Sequence, residues 1–156
     1  MLKRAHTYLL LLTLFCKTGL FSQDLLPVCR NFGPEDYNED AEFRCVAADN
    51  KGTLYFGTNY GILVYKGEKR SSGKNWRFLL LPQPDVISSL YLDTLEKRLY
   101  VGGQLDFGYF QLKNYFDGEY ISLKGKMPDQ SSDIWHIEKC GRTIIFHTLN
   151  RLIYLN

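Results

Sequence analysis

Apolar and polar residues alternate along two short segments on either side of a glycine-rich turn near residue 60. Residues 54–57 and 62–65 are rich in aromatic and aliphatic side chains, and the turn lies between Gly57 and Gly61. Alternation with a period of two predicts β-strands, and Gly and Asn supply the positive φ angles that a tight hairpin turn needs. No helical periodicity is found after residue 24. The pattern therefore predicts an all-β chain built from short hairpins.

This hairpin pattern returns at a fixed spacing. Gly57, Gly102 and His147 occupy the same place in three similar segments, 45 positions apart (102 − 57 and 147 − 102). A period of about 40 to 50 residues, with about four strands per repeat, is typical of a β-propeller blade. We therefore expect a partial β-propeller of about three blades, each made of four antiparallel strands.

The three blades are expected at residues 42–82, 86–128 and 133–156. The third blade is expected to be incomplete, because only three strand patterns fit between residue 133 and Asn156. Propellers typically close with about 4 to 8 blades, and natural proteins avoid an unpaired hydrophobic edge. We expect the chain to be the N-terminal part of a longer protein, and to aggregate or bind hydrophobic dyes when expressed alone.

Residues 1–22 are typical of an export signal. Two basic residues precede a short apolar run at residues 8–16, which is too short to span a bilayer. We expect cleavage after Ser22 and a periplasmic location, with an uncleaved anchor as the alternative. Residues 23–41 fit neither a strand nor a stable helix, so we expect an extended, solvated lead-in arm along the first blade.

The net charge and the number of cysteines argue against a nucleic-acid partner and against a disulfide framework. The net charge of +2 is too small to indicate a nucleic-acid partner. Cleavage would leave Cys29, Cys45 and Cys140, an odd count that argues against a disulfide framework. We expect buried thiols at Cys45 and Cys140, which lie in or beside strand patterns, while pairing of Cys29 with Cys45 in an oxidising compartment stays open.

The first repeat resembles the two-component-regulator propeller repeat. Residues 49–65 carry its pattern of an acidic residue, a turn with Gly, an aromatic strand, Gly-Thr, and then Gly, aliphatic residues and Tyr. Residues 100–109 and 133–137 are similar to the N-terminal blades of one subgroup of that family. The later repeats depart from the full pattern, since Gly103 stands where Thr58 does and His147 stands where Gly57 does.

The resemblance implies a function. In that subgroup, typical of Bacteroidetes-like bacteria, a signal peptide and a periplasmic propeller precede a triple-tyrosine domain, a transmembrane helix, and a LuxR-type helix-turn-helix or a histidine kinase. The resemblance thus implies an extracytoplasmic ligand-sensing module, without enzyme activity of its own, in a regulator of signal transduction or transcription. Its partners would be a small-molecule or glycan ligand and the remaining blades of a membrane-anchored parent that can be dimeric.

Large aromatic surfaces near the first strands are the candidate ligand contacts. These strands lie nearest the channel of a propeller, so Tyr109, Trp135 and His136 are the residues expected to stack on a ligand. The competing interpretation, which we favour for Trp135, is a core side chain that faces the same way as Ile137.

Three residues with metal-binding side chains alternate on one predicted strand: His136, Glu138 and Cys140. A metal site needs further firm ligands at a suitable spacing, and none is present, so we predict no metal and instead hydrogen bonds to a neighbouring blade. No cofactor is predicted either, because the Gly102-Gly103 pair is not followed by the helix and Lys of a phosphate loop.

No catalytic residue is predicted, because no Ser-His-Asp or Cys-His arrangement is recognised. Four carboxylates lie beside predicted turns, and we expect them to cap local backbone rather than act as a glycosidase pair. They are Asp85, Asp93, Asp106 and Asp129. A propeller enzyme acting on polysaccharide, as a lyase or a glycosidase, and a protein-docking scaffold remain as alternatives to the sensor.

Overall fold

A computed structural model describes residue 29 and residues 31–37, 42–67, 75–126 and 133–156. The expected signal at residues 1–22 and most of the lead-in arm lie outside these residues. The chain divides into two units, residues 1–31 and 32–156, and the second contains all of the elements below. They are one helical turn, α1 (Pro34–Tyr37), and the strands β1 (Cys45–Ala48), β2 (Thr53–Gly57), β3 (Ile62–Lys66), β4 (Trp76–Leu79), β5 (Ile87–Asp93), β6 (Arg98–Gly103), β7 (Phe107–Asn114), β8 (Asp117–Ser122), β9 (His136–Cys140), β10 (Thr143–His147) and β11 (Leu152–Leu155).

The strands form three antiparallel sheets in chain order. Sheet 1 has the order β1-β2-β3-β4, sheet 2 has the order β5-β6-β7-β8, and sheet 3 has the order β9-β10-β11. The first strands of successive sheets are neighbours, with β1 beside β5 and β5 beside β9. The protein is therefore all-β, a partial β-propeller of two four-stranded blades and a third blade of three strands, as the sequence predicts.

Two hydrophobic cores lie between the sheets. Alternation along each strand sends one set of side chains to each face, so sheet 2 contributes to both cores. The core between sheets 1 and 2 contains Tyr55, Ile62, Val64, Leu79, Ile87, Leu99, Val101, Phe110, Leu112 and Phe116. The core between sheets 2 and 3 contains Tyr100, Phe107, Leu123, Ile134, Ile137, Ile144 and Phe146.

The same contact joins each sheet to the next. At the first junction Gly57 faces the side chain of Ile87, and the Cys45 thiol donates to the Ile87 carbonyl with Sγ and O 3.7 Å apart. At the second junction Gly102 faces Ile134, and the Ser89 hydroxyl donates to the Ile134 carbonyl at 3.2 Å. A glycine on the second strand leaves room for the isoleucine of the next blade, so the blades pack closely.

A buried carboxylate fixes the turn between β6 and β7. Asp85 accepts hydrogen bonds from the backbone amides of Val86, Gln104, Leu105 and Asp106, at 2.7 to 3.2 Å. Each amide is thereby paired, which buried backbone groups require. The expectation that this acid caps backbone is confirmed, but only the Val86 amide is local, because the other three amides lie 19 to 21 residues along the chain.

A second acid, Asp93, joins sheets 2 and 3. Its Oδ1 accepts from the amides of Leu95 and Glu96, and its Oδ2 pairs with the Lys139 ammonium of β9. Burial raises the pKa of Asp93, but the hydrogen bonds from Lys139 and from the two amides lower it by more, so its net pKa lies below the ordinary value. Asp106 likewise caps the amide of Phe107, so its predicted role is confirmed, whereas Asp129 lies outside the described residues.

The lead-in arm differs from its prediction by one helical turn. In α1 the Gly33 amide donates to Asp36 Oδ2, and the Asp36 amide donates to the Gly33 carbonyl, both at 2.9 Å. This reciprocal cap stabilises a single turn that has no periodic apolar face for the sequence to reveal. Aromatic side chains of the arm cover the outer face of sheet 1, through the pairs Phe32–Tyr65 at 4.9 Å and Tyr37–Trp76 at 5.3 Å between ring centroids. Phe43, just after the arm, adds the pair Phe43–Phe56 at 5.0 Å.

The cysteine predictions are partly wrong. The thiols of Cys29, Cys45 and Cys140 are all free. Cys45 is half-buried at the first junction, and burial raises its pKa to about 11. Cys140 is exposed because it lies on the outer face of sheet 3, which no other described element covers. Within the described ranges, no helix is long and apolar enough to cross a membrane.

Candidate functional site

A groove of about 530 Å³ opens between sheets 1 and 2, at the end where β1 turns into β2, β5 into β6 and β7 into β8. We call it the turn-end groove. Small-molecule sites typically occupy about 300 to 1,000 Å³, so its volume suits a ligand of one or two sugar rings. It is lined by Asp49, Asn50, Lys51, Tyr55, Leu92, Thr94, Leu95, Lys97, Leu112, Lys113, Asn114 and Tyr115.

Three short turns build the walls of the groove. Asp49 Oδ1 accepts from the amides of Lys51 and Thr53, at 2.8 and 2.7 Å, which holds the first turn. Lys97 closes the second turn in the left-handed region, with φ 54°, and its carbonyl accepts from the Leu112 amide at 2.9 Å. Asn114 Oδ1 accepts from the Phe116 amide at 2.9 Å and shapes the third turn. The backbone of all three walls is therefore fixed by hydrogen bonds.

Two buried polar atoms of residues that line the groove have no hydrogen-bond partner within the described chain. They are the hydroxyl of Tyr55, whose side chain is completely buried, and Oδ2 of Asp49. Burial raises the pKa of Tyr55 far above its ordinary value, and the nearby Asp49 carboxylate raises it further. The phenol therefore stays neutral and can donate a hydrogen bond, while the carboxylate oxygen can accept one. Buried polar groups normally have partners, so this pair is suited to a ligand.

The aromatic ring of the third wall, Tyr115, is approached by cationic side chains from other parts of the chain. The ammonium groups of Lys51 and Lys66 lie over the Tyr115 ring, 5.9 and 4.7 Å from its centroid. A hydrogen bond with the Tyr115 hydroxyl raises the pKa of Lys51 above its ordinary value. Lys97 and Lys113 are exposed beside this wall. The wall thus combines a flat ring with positive charge.

The structure does not bring the three predicted ligand contacts together. Tyr109 packs at the core between sheets 2 and 3, 5.5 Å from the Tyr100 ring and with the Arg98 guanidinium 5.0 Å from its own centroid. His136 lies on the opposite, outer face of sheet 3, paired in register with His147. None of the three lines the turn-end groove. Their role as ligand contacts stays a prediction.

The favoured core role of Trp135 is wrong. Its side chain is 59% exposed, whereas Ile137, two residues on, is buried in the second core as predicted. Trp135 precedes the first residue of β9, and its amide donates to the His147 carbonyl at 2.8 Å. The backbone of Trp135 is therefore already paired with β10, but its ring lies outside the core between sheets 2 and 3. Alternation predicts the direction of a side chain and not whether a neighbour covers it.

The predicted hydrogen bonds from His136, Glu138 and Cys140 to a neighbouring blade are also wrong. Glu138 pairs with His147 on the adjacent strand of the same sheet, with Oε1 and Nε2 3.2 Å apart, and His136, Glu138 and Cys140 are all exposed. Within the described part of the chain, no group of three or more His, Cys, Asp or Glu residues is placed to hold a metal ion.

Sequence reasoning missed the residues of the groove. Asp49 was assigned to a turn and Tyr55 to a strand, and both assignments hold. The one available signal was the position of Tyr55 among alternating buried residues, since a buried tyrosine usually needs a partner for its hydroxyl. The second and third walls come from turns far along the chain, which no local pattern connects to Tyr55.

Comparison with known proteins adds no relative. No protein-family model matches the chain, and no curated protein matches it.

Proposed function

We propose that this chain is an extracytoplasmic ligand-binding module that holds a small hydroxylated molecule, of the sugar class, in the turn-end groove. The observation that carries the proposal is the Tyr55 hydroxyl, which is completely buried, has no partner within the described chain and belongs to a residue that lines the groove, as Asp49 does. The module binds its ligand and does not transform it.

A ligand hydroxyl is the group that fits both atoms at once. It accepts a hydrogen bond from the Tyr55 phenol and donates one to the Asp49 carboxylate, whereas an ether or a carbonyl accepts only. Asp49 Oδ1 is occupied by two turn amides, so Oδ2 is the oxygen left for the ligand. A hydrogen bond to a charged group also contributes more than one between neutral groups.

Apolar and aromatic walls complete the fit. Leu92, Leu95 and Leu112 supply apolar surface, and Tyr115 supplies a ring. A sugar ring has one apolar C–H face and a rim of hydroxyls, so it matches a groove with both kinds of lining. The walls come from two sheets, which lets occupancy influence how those sheets pack.

The sensor role rests on the export pattern of residues 1–22 and on the resemblance of residues 49–65 to the regulator propeller repeat. In this proposal the groove detects the ligand, and a membrane-anchored parent carries the response to a kinase or to a DNA-binding domain. The remaining blades of that parent are the structural partners.

Replacing Tyr55 with phenylalanine tests the proposal. The change removes one oxygen and keeps the ring, so the melting temperature should not fall, because the lost hydroxyl has no partner within the described chain. Binding of the best ligand from a panel of glucose, galactose, N-acetylglucosamine and glucuronate should weaken by about threefold to tenfold, since a net hydrogen bond contributes about 0.5 to 1.5 kcal/mol. Isothermal titration calorimetry on the full chain measures this.

Tyr120→Phe is the matched control. Tyr120 also carries a buried hydroxyl, but it lies near Asp106 and outside the groove. Tyr120→Phe should leave the affinity unchanged. The proposal is wrong if no member of the panel binds, or if the two variants weaken binding equally.

A further inference from the structure

We infer that the ligand of the turn-end groove carries a negative charge in addition to its hydroxyls, as a sugar acid, a sulfated sugar or a phosphorylated sugar does. This inference rests on the proposed function and names the chemical class of its ligand. The shared chemistry is an anionic group on a hydroxylated ring. It is argued from the charges that line the groove.

Positive charge dominates the lining. Three lysines, Lys51, Lys97 and Lys113, line the groove against one carboxylate, Asp49, which gives the lining a formal charge of +2 (3 − 1). The whole chain also carries only +2, so the rest of the molecule is balanced while the groove is not. A cleft with charge of one sign concentrates ions of the opposite sign, because its low-dielectric walls focus the field.

The single carboxylate is already engaged. Asp49 Oδ1 accepts from two backbone amides, and Oδ2 is buried beside the Tyr55 phenol. Asp49 as a whole is half-buried, whereas its Oδ2 and the Tyr55 hydroxyl, which we call the floor of the groove, are buried. The lysine side chains are exposed at the rim. The groove is thus divided into a floor that suits a hydroxyl and a rim that suits an anion.

Two of the rim lysines are available for a ligand. Within the described residues, neither Lys97 nor Lys113 forms an ion pair or a side-chain hydrogen bond, whereas the Lys51 ammonium lies over the Tyr115 ring. Lys97 is held in a left-handed turn conformation, φ 54°, which fixes where its side chain leaves the backbone. We place the anionic group of the ligand between Lys97 and Lys113, with a hydroxyl at Tyr55 and Asp49.

Four ligands that share one ring test this inference. Titration of the full chain with glucose, glucuronate, glucose 6-sulfate and glucose 6-phosphate at low ionic strength should show at least one acidic sugar binding about tenfold more tightly than glucose. The preference should shrink as salt is added, because exposed charges are screened. The order among the three acids identifies a carboxylate, a sulfate or a phosphate.

Lysine-to-glutamine variants test whether the preference for acidic sugars comes from the groove. The double variant Lys97→Gln/Lys113→Gln should lose most of the preference for the acidic sugar over glucose. The matched control Lys124→Gln/Lys126→Gln removes the same charge from the short 3₁₀ turn after β8, outside the groove, and should keep the preference. All of these side chains reach the surface, so the melting temperatures should match that of the unmodified chain.

The outcomes separate this inference from the proposed function. If glucose binds as tightly as every acidic sugar, or if both double variants lose the preference equally, the anionic class is wrong and the groove remains a sugar site. If none of the four sugars binds, both the inference and the proposed function fail.

Discussion

Replacing Asp85 with alanine is expected to lower the free energy of unfolding by about 3 kcal/mol, the largest effect of any single change considered, because several charge-assisted hydrogen bonds are lost together. The buried carboxylate accepts from four backbone amides, three of them in the turn between β6 and β7. In the variant, those amides lose the charged carboxylate as acceptor, and each is left either to bond to water or to stay unpaired. Urea unfolding followed by tryptophan fluorescence measures the loss.

Two further variants test whether the lost hydrogen bonds cause the loss of stability. Asp85→Asn keeps one acceptor oxygen and should lose less stability than Asp85→Ala. Asp117→Ala removes an exposed carboxylate from β8 and should change stability by less than about 0.5 kcal/mol, as surface substitutions usually do. Equal stability of Asp85→Ala and Asp117→Ala would show that the carboxylate does not hold the turn.

Gly102→Ala should lower the free energy of unfolding by about 1 to 3 kcal/mol, because overpacking a close junction forces neighbouring atoms apart. An added Cβ would lie 2.5 Å from both Ile134 Cγ2 and Ser89 Oγ, and Ile134 is buried in the core between sheets 2 and 3. The neighbouring blade would have to shift. Thermal unfolding followed by circular dichroism measures the effect.

Gly125→Ala is the matched control for the junction, since an added Cβ there meets no atom within 4 Å. Its melting temperature should stay close to that of the unmodified chain. Gly57→Ala should behave like Gly102→Ala, because its Cβ would meet Cys45 Sγ and lie 2.8 Å from Ile87 Cγ2. If Gly102→Ala has the same melting temperature as Gly125→Ala, the blades do not pack through the glycine positions.

The sequence predicts the strands well because each strand carries its own pattern. Alternation along β2 and β3, with glycines in the turn, indicates a hairpin from local residues alone. The same pattern recurs every 45 residues, which predicts three sheets. Boundaries shift by a residue or two where pairing begins late. For example, the first blade is expected from residue 42, whereas β1 begins at Cys45, and the Phe43 ring before it packs on Phe56 and the lead-in arm.

The candidate site could not be predicted in the same way. The floor of the groove, Tyr55 and Asp49, belongs to the first repeat, whereas Lys97 and Tyr115 belong to two different turns of the second. Their convergence depends on how two sheets pack, which the pattern within one strand does not encode. Tyr109 and Trp135 are predicted as ligand contacts because they are large aromatic residues, but the size of a side chain does not indicate which end of the sheets forms a groove.

The departure of the third repeat from the glycine pattern has a structural counterpart. Gly57 and Gly102 each receive the isoleucine of the next sheet, and His147 occupies the equivalent place on β10. Its imidazole pairs with Glu138 and lies 5.3 Å from the His136 ring, on the outer face of sheet 3. That face also carries the exposed side chains of Leu152 and Tyr154. The close glycine–isoleucine contact therefore occurs at both junctions between the described sheets, and His147 lies on a face that no described sheet covers.

The most direct test of the central claim, that the ligand occupies the turn-end groove, is a nuclear magnetic resonance titration of the full chain with isotope-labelled tyrosine rings. Each ring signal is assigned with a Tyr→Phe variant, and glucuronate is the added ligand. The ring signals of Tyr55 and Tyr115, which line the groove, should shift, while those of Tyr109 and Tyr154 should not. Shifts at Tyr109 with Tyr55 and Tyr115 unchanged would place the ligand elsewhere and contradict the claim.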